Sequence, residues 1–307
     1  MGGMVSSKLV ANWFERQRGR AFGIATVGIS LSGLLMPTAA TWLIAELGWR
    51  GAFLVYAFAT AAVVIPLVAR FVVNRPEDLG LRPDGERSEA DGGPPLPAAD
   101  PAWRSRQILA SRNFWAIALC FALAFGTLSA VLTHLVPHAD DLGIPPYRAA
   151  WLLSFAAGAG ILGKLVFGRL FDRLDPRVAI WCSLGTQLGG VLWLLRGDSF
   201  AELVPASLLF GFGMGGTVPL QAAVTGAAFG RISFGKAMGL LRPVQMPIHV
   251  LGIPLAGWIY DVSGSYDTAF RVFVASYLAA CLAVLALRVR PARSAFTPPA
   301  EIPEPPC

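Results

Sequence analysis

The sequence predicts an all-α membrane protein, a helical bundle of about eight complete transmembrane helices preceded by a partial first one. Three observations carry that expectation. Of the 307 residues, 55% are hydrophobic and only 14% charged, whereas soluble domains carry roughly 25% charged residues. Mean hydropathy is +0.57. The apolar residues also fall in repeated long blocks, and about 20 helical residues cross the ~30 Å hydrocarbon layer. So little charge excludes a disordered chain or a nucleic-acid arm, although the net charge is +6,.

Residues 1–14 form an incomplete block. As a helix they reach about 21 Å, so the chain is expected to begin inside a helix whose upstream part is missing. No charged n-region precedes an h-region, which argues against a signal peptide. Met1-Gly2 with Ser6 fits the myristoylation pattern, a pattern that chance often supplies. Complete blocks follow at 21–45, 51–73, 113–137, 149–170, 178–195, 203–229, 237–260 and 269–287. Each holds Gly or Pro, which membrane helices tolerate. The resulting divisions are 1–73, the remainder of an N-terminal half; 74–112, a linker; 113–290, a six-helix half; and 291–307, a tail. Gly92-Gly93-Pro94-Pro95-Leu96-Pro97 keeps the middle of the linker extended. Cys120, Cys182, Cys281 and Cys307 show no paired spacing, so neither a disulfide framework nor a zinc site is expected,.

Lysine and arginine set the orientation. Arg16, Arg18, Arg20, Lys164, Arg169, Arg173, Arg177, Arg231, Lys236, Arg288, Arg290 and Arg293 fall at one end of the spans. Arg50, Arg148 and Arg196 fall at the other, among Asp140, Asp141, Asp198, Glu202, Asp261 and Asp267. The first end is therefore expected to be cytoplasmic, along with the linker and the C-terminus, in a multi-pass protein of the plasma or inner membrane.

An internal repeat links the two parts. Gly19-Arg20-Ala21-Phe22-Gly23 matches Gly235-Lys236-Ala237-Met238-Gly239, Gly48 matches Gly264, and Ala52-Phe53 matches Ala269-Phe270. Both copies start on the basic side, so the repeat is parallel.

The loop Gly168-Arg169-Leu170-Phe171-Asp172-Arg173-Leu174-Asp175-Pro176-Arg177 resembles the G-x-x-x-D-R-x-G-R-R loop of major facilitator superfamily transporters. Gly168, Asp172, Arg173 and Arg177 fit it, whereas Asp175 and Pro176 depart from it. Gly168 permits close helix approach, and Asp172 can pair with Arg173 or Arg177 or face a helix N-terminus. Trp13–Ala25 and Arg75-Pro76-Glu77-Asp78-Leu79-Gly80-Leu81-Arg82-Pro83-Asp84-Gly85 are similar to segments of the monocarboxylate transporter-like branch, with its oxalate/formate antiporter relatives. The resemblance implies a major facilitator-type bundle that moves a small organic anion, with protons or a counter-substrate as coupling partners and the lipid bilayer as its surroundings.

A charge at membrane depth is costly, which marks it as a site candidate. Every acid maps to a loop, helix end, linker or tail. The buried cations are Lys164 and Arg242. The resemblance implies that Lys164 stands where relatives often carry an anion-binding arginine; alternatively it snorkels to the interface. Arg242 opens Arg242-Pro243-Val244-Gln245-Met246-Pro247-Ile248-His249, where two prolines free backbone carbonyls. It either lines a cavity, with Gln245 and His249 on its face, or braces the kink. By the resemblance, Gln245 stands near a lysine of oxalate-type relatives. His134 is a cavity or proton-linked candidate, or a polar helix-end residue; with His138 across Pro137 it makes a poor metal pair. Gln221, after Pro219, is a candidate for substrate hydrogen bonding. Gly211, Gly213, Gly215 and Gly216 lie mid-span and read as close-packing positions.

An enzyme would need a nucleophile–base pair or metal cluster at depth, and no HExxH, GxSxG or in-span carboxylate occurs,. No cofactor, metal or nucleic acid is expected. A secondary transporter of a small organic anion is the leading reading. Transport of a drug, sugar or nucleoside, or a non-transporting truncated fragment, are the alternatives.

Overall fold

The computed structural model describes residues 2–85 and 102–289. The middle of the linker and the tail, with Arg290, Arg293 and Cys307, lie outside the described residues. Among the described residues eight helices run in order: α1 Gly2–Trp13, α2 Arg18–Phe71, α3 Ser105–Ala110, α4 Arg112–Asp141, α5 Pro146–Arg173, α6 Pro176–Leu194, α7 Phe200–Ser263 and α8 Asp267–Val284. Short 3-10 turns occupy Pro76–Leu79 and Pro83–Gly85. There is no β-sheet among the described residues.

The two longest helices are each broken at one glycine. Gly48 adopts φ 68° and ψ 167°, and Gly230 φ 71° and ψ 172°. Only glycine occupies that region without a Cβ penalty. The chain folds back at both points: the Tyr56 hydroxyl reaches the Met36 carbonyl, and Gln221 meets Gln245. Divided there, α2 and α7 supply four arms, and with α4, α5, α6 and α8 they make eight long helical segments among the described residues. Their ends fall within a few residues of the apolar blocks. The basic stretch 231–236 differs from the expected loop. It is helical, because Gly230 alone makes the reversal. Gly264, the repeat mate of Gly48, is also left-handed, at φ 70°.

By length and hydropathy, five described helical segments could cross a membrane, one being the 64-residue α7. The arm 49–71 presents Phe58 and Phe71 at 73% and 71% exposure, as lipid-facing surfaces do. Exposed Trp42, Trp49, Trp151 and Trp258 gather towards the end away from the linker, as interface aromatics do.

Close backbone approach organises the interior. A Cβ on Gly211 would run into the Ala156 carbonyl, and one on Gly215 into the Gly160 carbonyl, so α5 and α7 touch along two small-residue stripes,. Gly126 of α4 and Gly252 of α7 meet in the same way. Behind them lies a satisfied polar core. The Tyr277 hydroxyl donates to Gln187 Oε1 at 3.0 Å, Gln187 Nε2 donates to Thr217, and Ser183 donates to the Gly213 carbonyl. Such networks rigidify an apolar interior.

The departure of the 168–177 loop from its family pattern has a local cause. Asp175 is the N-cap of α6 and accepts the Arg177 N–H at 2.8 Å, and Pro176 takes the first helical position,. The residues that replace the usual Gly and basic residue therefore start the next span.

Candidate functional site

Among the described residues, chemistry gathers at the crossing of α2 with α5, at the seam between α4 and the second arm of α7, and where the linker meets the α7 bend.

At the crossing, glycines let two backbones meet. A Cβ on Gly23 would stand 2.5 Å from the Lys164 carbonyl oxygen, and one on Gly168 2.5 Å from that of Gly19. Asp172, at the end of α5, accepts the backbone N–H groups of Gly19 at 2.7 Å and Arg20 at 2.8 Å. Of the three partners open to it in the sequence, it takes the helix N-terminus, where the macrodipole favours an anion. Arg173 is exposed and Arg177 half-buried.

About two turns from Asp172 along α5 sits Lys164, 6% exposed. Its ammonium donates to the Thr26 carbonyl at 3.0 Å and to the Ser30 hydroxyl. No carboxylate pairs with it among the described residues. An ammonium has three donors, so one N–H remains for a ligand. Further along α2, Gly33 has open space where a side chain would stand.

Arg242 is exposed on the second arm of α7. Gln245, three residues on, is instead buried, with Gln221 Nε2 donating to its Oε1 at 2.9 Å. Its own Nε2 is buried without an acceptor. His249 bonds Ser129 at 2.9 Å and stacks on Phe125. His134 engages Tyr266 at 3.2 Å and the Ile253 carbonyl at 3.1 Å. That carbonyl can only accept, so Nε2 carries the proton and Nδ1 faces the tyrosine hydroxyl. Both histidines thus fasten α4 to α7. His134 and His138 both lie against Tyr266, but His138 Nε2 turns to the Leu194 carbonyl rather than to His134.

Sequence reasoning missed Thr26 and Ser30. The signal was present, because small or hydroxyl residues recur at 19, 23, 26 and 30, one face of a helix. It also missed how the start of the linker is used. Asp84, at φ 63°, accepts the N–H groups of Glu15, Arg16 and Gln17. Glu77 forms an ion pair with Arg231 at the α7 bend. The far end of the linker fastens to the same bend, through Trp103 N–H to Ser233 and Lys236 to the Trp103 carbonyl. A small cavity of about 200 Å³ opens there between Glu15, Arg18, Trp103 and residues 226–230.

Burial alone would raise the Glu77 carboxyl, but the Arg231 guanidinium outweighs it and holds the group below the ordinary carboxylate range. A depressed carboxyl contributes stability above its unfolded pKa and loses it as pH falls through the folded one. Acidification through and below the carboxylate range should therefore release residues 75–85, read as faster proteolysis there. Glu77→Gln should show the faster rate already at neutral pH.

The family model for the Major Facilitator Superfamily matches residues 1–246 and, in a second match, 136–306. Monocarboxylate transporter 13 of Bos taurus is 30% identical over 272 residues, covering 88% of this chain and 60% of that protein. Monocarboxylate transporter 12 of Rattus norvegicus is 27% identical, covering 85% and 58%. The chain thus spans about 60% of the length of these curated relatives. Among solved structures, the human organic anion transporter MFSD10 aligns with TM-score 0.68 at 17% identity, over 91% of this chain and 67% of that one. The fucose transporter FucP in its outward conformation aligns with TM-score 0.51 at 13% identity, over 94% and 90%. These two likenesses concern the fold. With a multi-spanning α-helical bundle, a motif-bearing loop capping a neighbouring helix and a family match across its length, the chain belongs to the Major Facilitator Superfamily.

Proposed function

We propose that the protein takes part in secondary transport of a small organic anion, of monocarboxylate or dicarboxylate type, by alternating access. The observation that carries this reading is Lys164: a cation at membrane depth whose described partners are both neutral, with one donor to spare. Leaving such a charge unpaired is costly, and an anionic cargo offsets the cost. The names of the relatives, monocarboxylate transporters and an organic anion transporter, point to the same chemical class. Arg242 is a second cation for the other carboxylate of a diacid, exposed on an arm that ends at the opposite side of the bundle. Gln221, Gln245, His134 and His249 shape the seam behind the site. Protons or a counter-substrate supply the coupling.

In this reading the end bearing Asp172, Glu77 and the linker is cytoplasmic, as its arginines and lysines require. The close approach of α2 and α5, through Gly19, Gly23, Gly168 and Asp172, lies at that end.

The test is equilibrium binding to the chain in lipid nanodiscs, with acetate and succinate set against a neutral sugar, a nucleoside and a lipophilic cation. Saturable binding of the carboxylates alone is expected. Binding of a neutral or cationic solute with no response to carboxylates would replace the anion reading with one of its alternatives.

A further inference from the structure

The contact between Lys164 and α2 joins substrate chemistry to helix movement. The ammonium sits on α5, and both of its acceptors, the Thr26 carbonyl and the Ser30 hydroxyl, sit on α2. The Thr26 hydroxyl is turned away, donating to the Phe22 and Gly23 carbonyls. Ser30 therefore supplies the side-chain acceptor, and the Thr26 backbone supplies the other. Towards the linker the helices are held by apposed glycine backbones and by Asp172. The Lys164 contact is the described polar tie between the two helices that lies farther from the linker than Asp172.

We propose that Ser30 is a positioning residue for transport: it holds Lys164 in a resting position that closes the α2–α5 joint, and a bound carboxylate takes Lys164 from it and loosens that joint. This deepens the anion reading of Lys164 and rests on it. The chemistry favours the exchange. A carboxylate adds an opposite charge to the hydrogen bond that the ammonium makes, which a neutral hydroxyl or carbonyl does not. An ammonium on a flexible stem can swing between the two. Coupling between two binding events is reciprocal: whatever the joint gains from Ser30, the anion must overcome. Removing the Ser30 hydroxyl should therefore loosen the empty joint and tighten anion binding together. A serine that merely filled space would do neither.

The experiment uses the full chain in nanodiscs, with Cys120, Cys182, Cys281 and Cys307 replaced. Spin labels at positions 20 and 169, both exposed near the crossing, report the separation of α2 and α5. Acetate is the probe, and its affinity is measured in parallel. In the parent, a short separation without acetate should lengthen at saturation. Ser30→Ala should show the longer population without acetate and bind acetate about ten- to a hundredfold more tightly, the range of one hydrogen bond to a charged group. Ser30→Thr, which keeps a hydroxyl, should restore the parent's behaviour. If Ser30→Ala matches the parent in both separation and affinity, the proposal is overturned. If Lys164→Ala loses acetate binding but acetate leaves the parent's separation unchanged, Lys164 keeps its anion role and the coupling through Ser30 is overturned. Unchanged acetate binding in Lys164→Ala overturns both.

Discussion

Gly215→Leu is expected to abolish the folded bundle. A Cβ at 215 would lie inside the contact distance of the Gly160 carbonyl and 2.9 Å from the Lys164 nitrogen. Both obstacles are backbone, so no rotamer change relieves them, and α5 must move off α7. Overpacking a tight interior costs about 1–3 kcal/mol when only side chains adjust, and here a whole helix must be displaced. Stability of a domain is itself only about 5–15 kcal/mol. Gly185 is the control, since nothing stands within 4 Å of its missing Cβ. Size-exclusion profiles and thermal stability in detergent check this pair. Gly185→Leu should elute as the parent does, and Gly215→Leu should aggregate or fail to accumulate. A monodisperse, equally stable Gly215→Leu would remove close α5–α7 packing as a requirement of the fold.

The second large effect is expected from Asp172→Ala. Two N–H groups at the start of α2 would lose a shared carboxylate. Hydrogen bonds to a charged group contribute about 1.5–3 kcal/mol each, and part of that is recovered when water replaces the acid. A net loss of about 3 kcal/mol shifts a two-state equilibrium roughly a hundredfold. The protein should therefore populate a state open at the linker side. Spin labels at 20 and 169 should report it as a long separation even without ligand, with the helix content of the parent. Asp172→Glu, which keeps the charge on a longer stem, should recover part of the short population. A parental separation in Asp172→Ala would mean that the glycine contacts hold the crossing alone.

What could be read from the sequence divides along a physical line. Spans were legible because length and hydropathy depend on composition, which a bilayer constrains strongly. The glycines at 211, 213, 215 and 216 were legible as packing positions because mid-span glycine has few other uses. The gaps between apolar blocks at 46–50 and 230–236 contain Gly48 and Gly230, but the sequence alone reads the second as a basic loop rather than a helix after a single turn residue. Charge density suggests solvent, whereas one positive-φ residue suffices for the turn. Asp172 was recognised by its motif, yet its partner lies about 150 residues away, where local spacing carries no information. Ser30 and Thr26 were passed over because a hydroxyl within an apolar span ordinarily bonds its own helix, as Thr26 does. Arg242 and Gln245 show the opposite difficulty. Three residues apart on one helix, they were expected to share a face; one is exposed and the other buried against Gln221.

The most direct test of the account compares a monocarboxylate with its isosteric primary amide, acetate against acetamide, on the parent chain and on Lys164→Ala. The two ligands share size and shape and differ in charge. Loss of a charge-assisted contact costs about 1.5–3 kcal/mol, roughly ten- to a hundredfold in affinity. The parent should prefer acetate by at least that factor, and Lys164→Ala should lose the preference while remaining inserted and folded. An undiminished preference for acetate in Lys164→Ala, or a parent that binds both ligands alike, would contradict the assignment of Lys164 as the anchor of an anionic cargo.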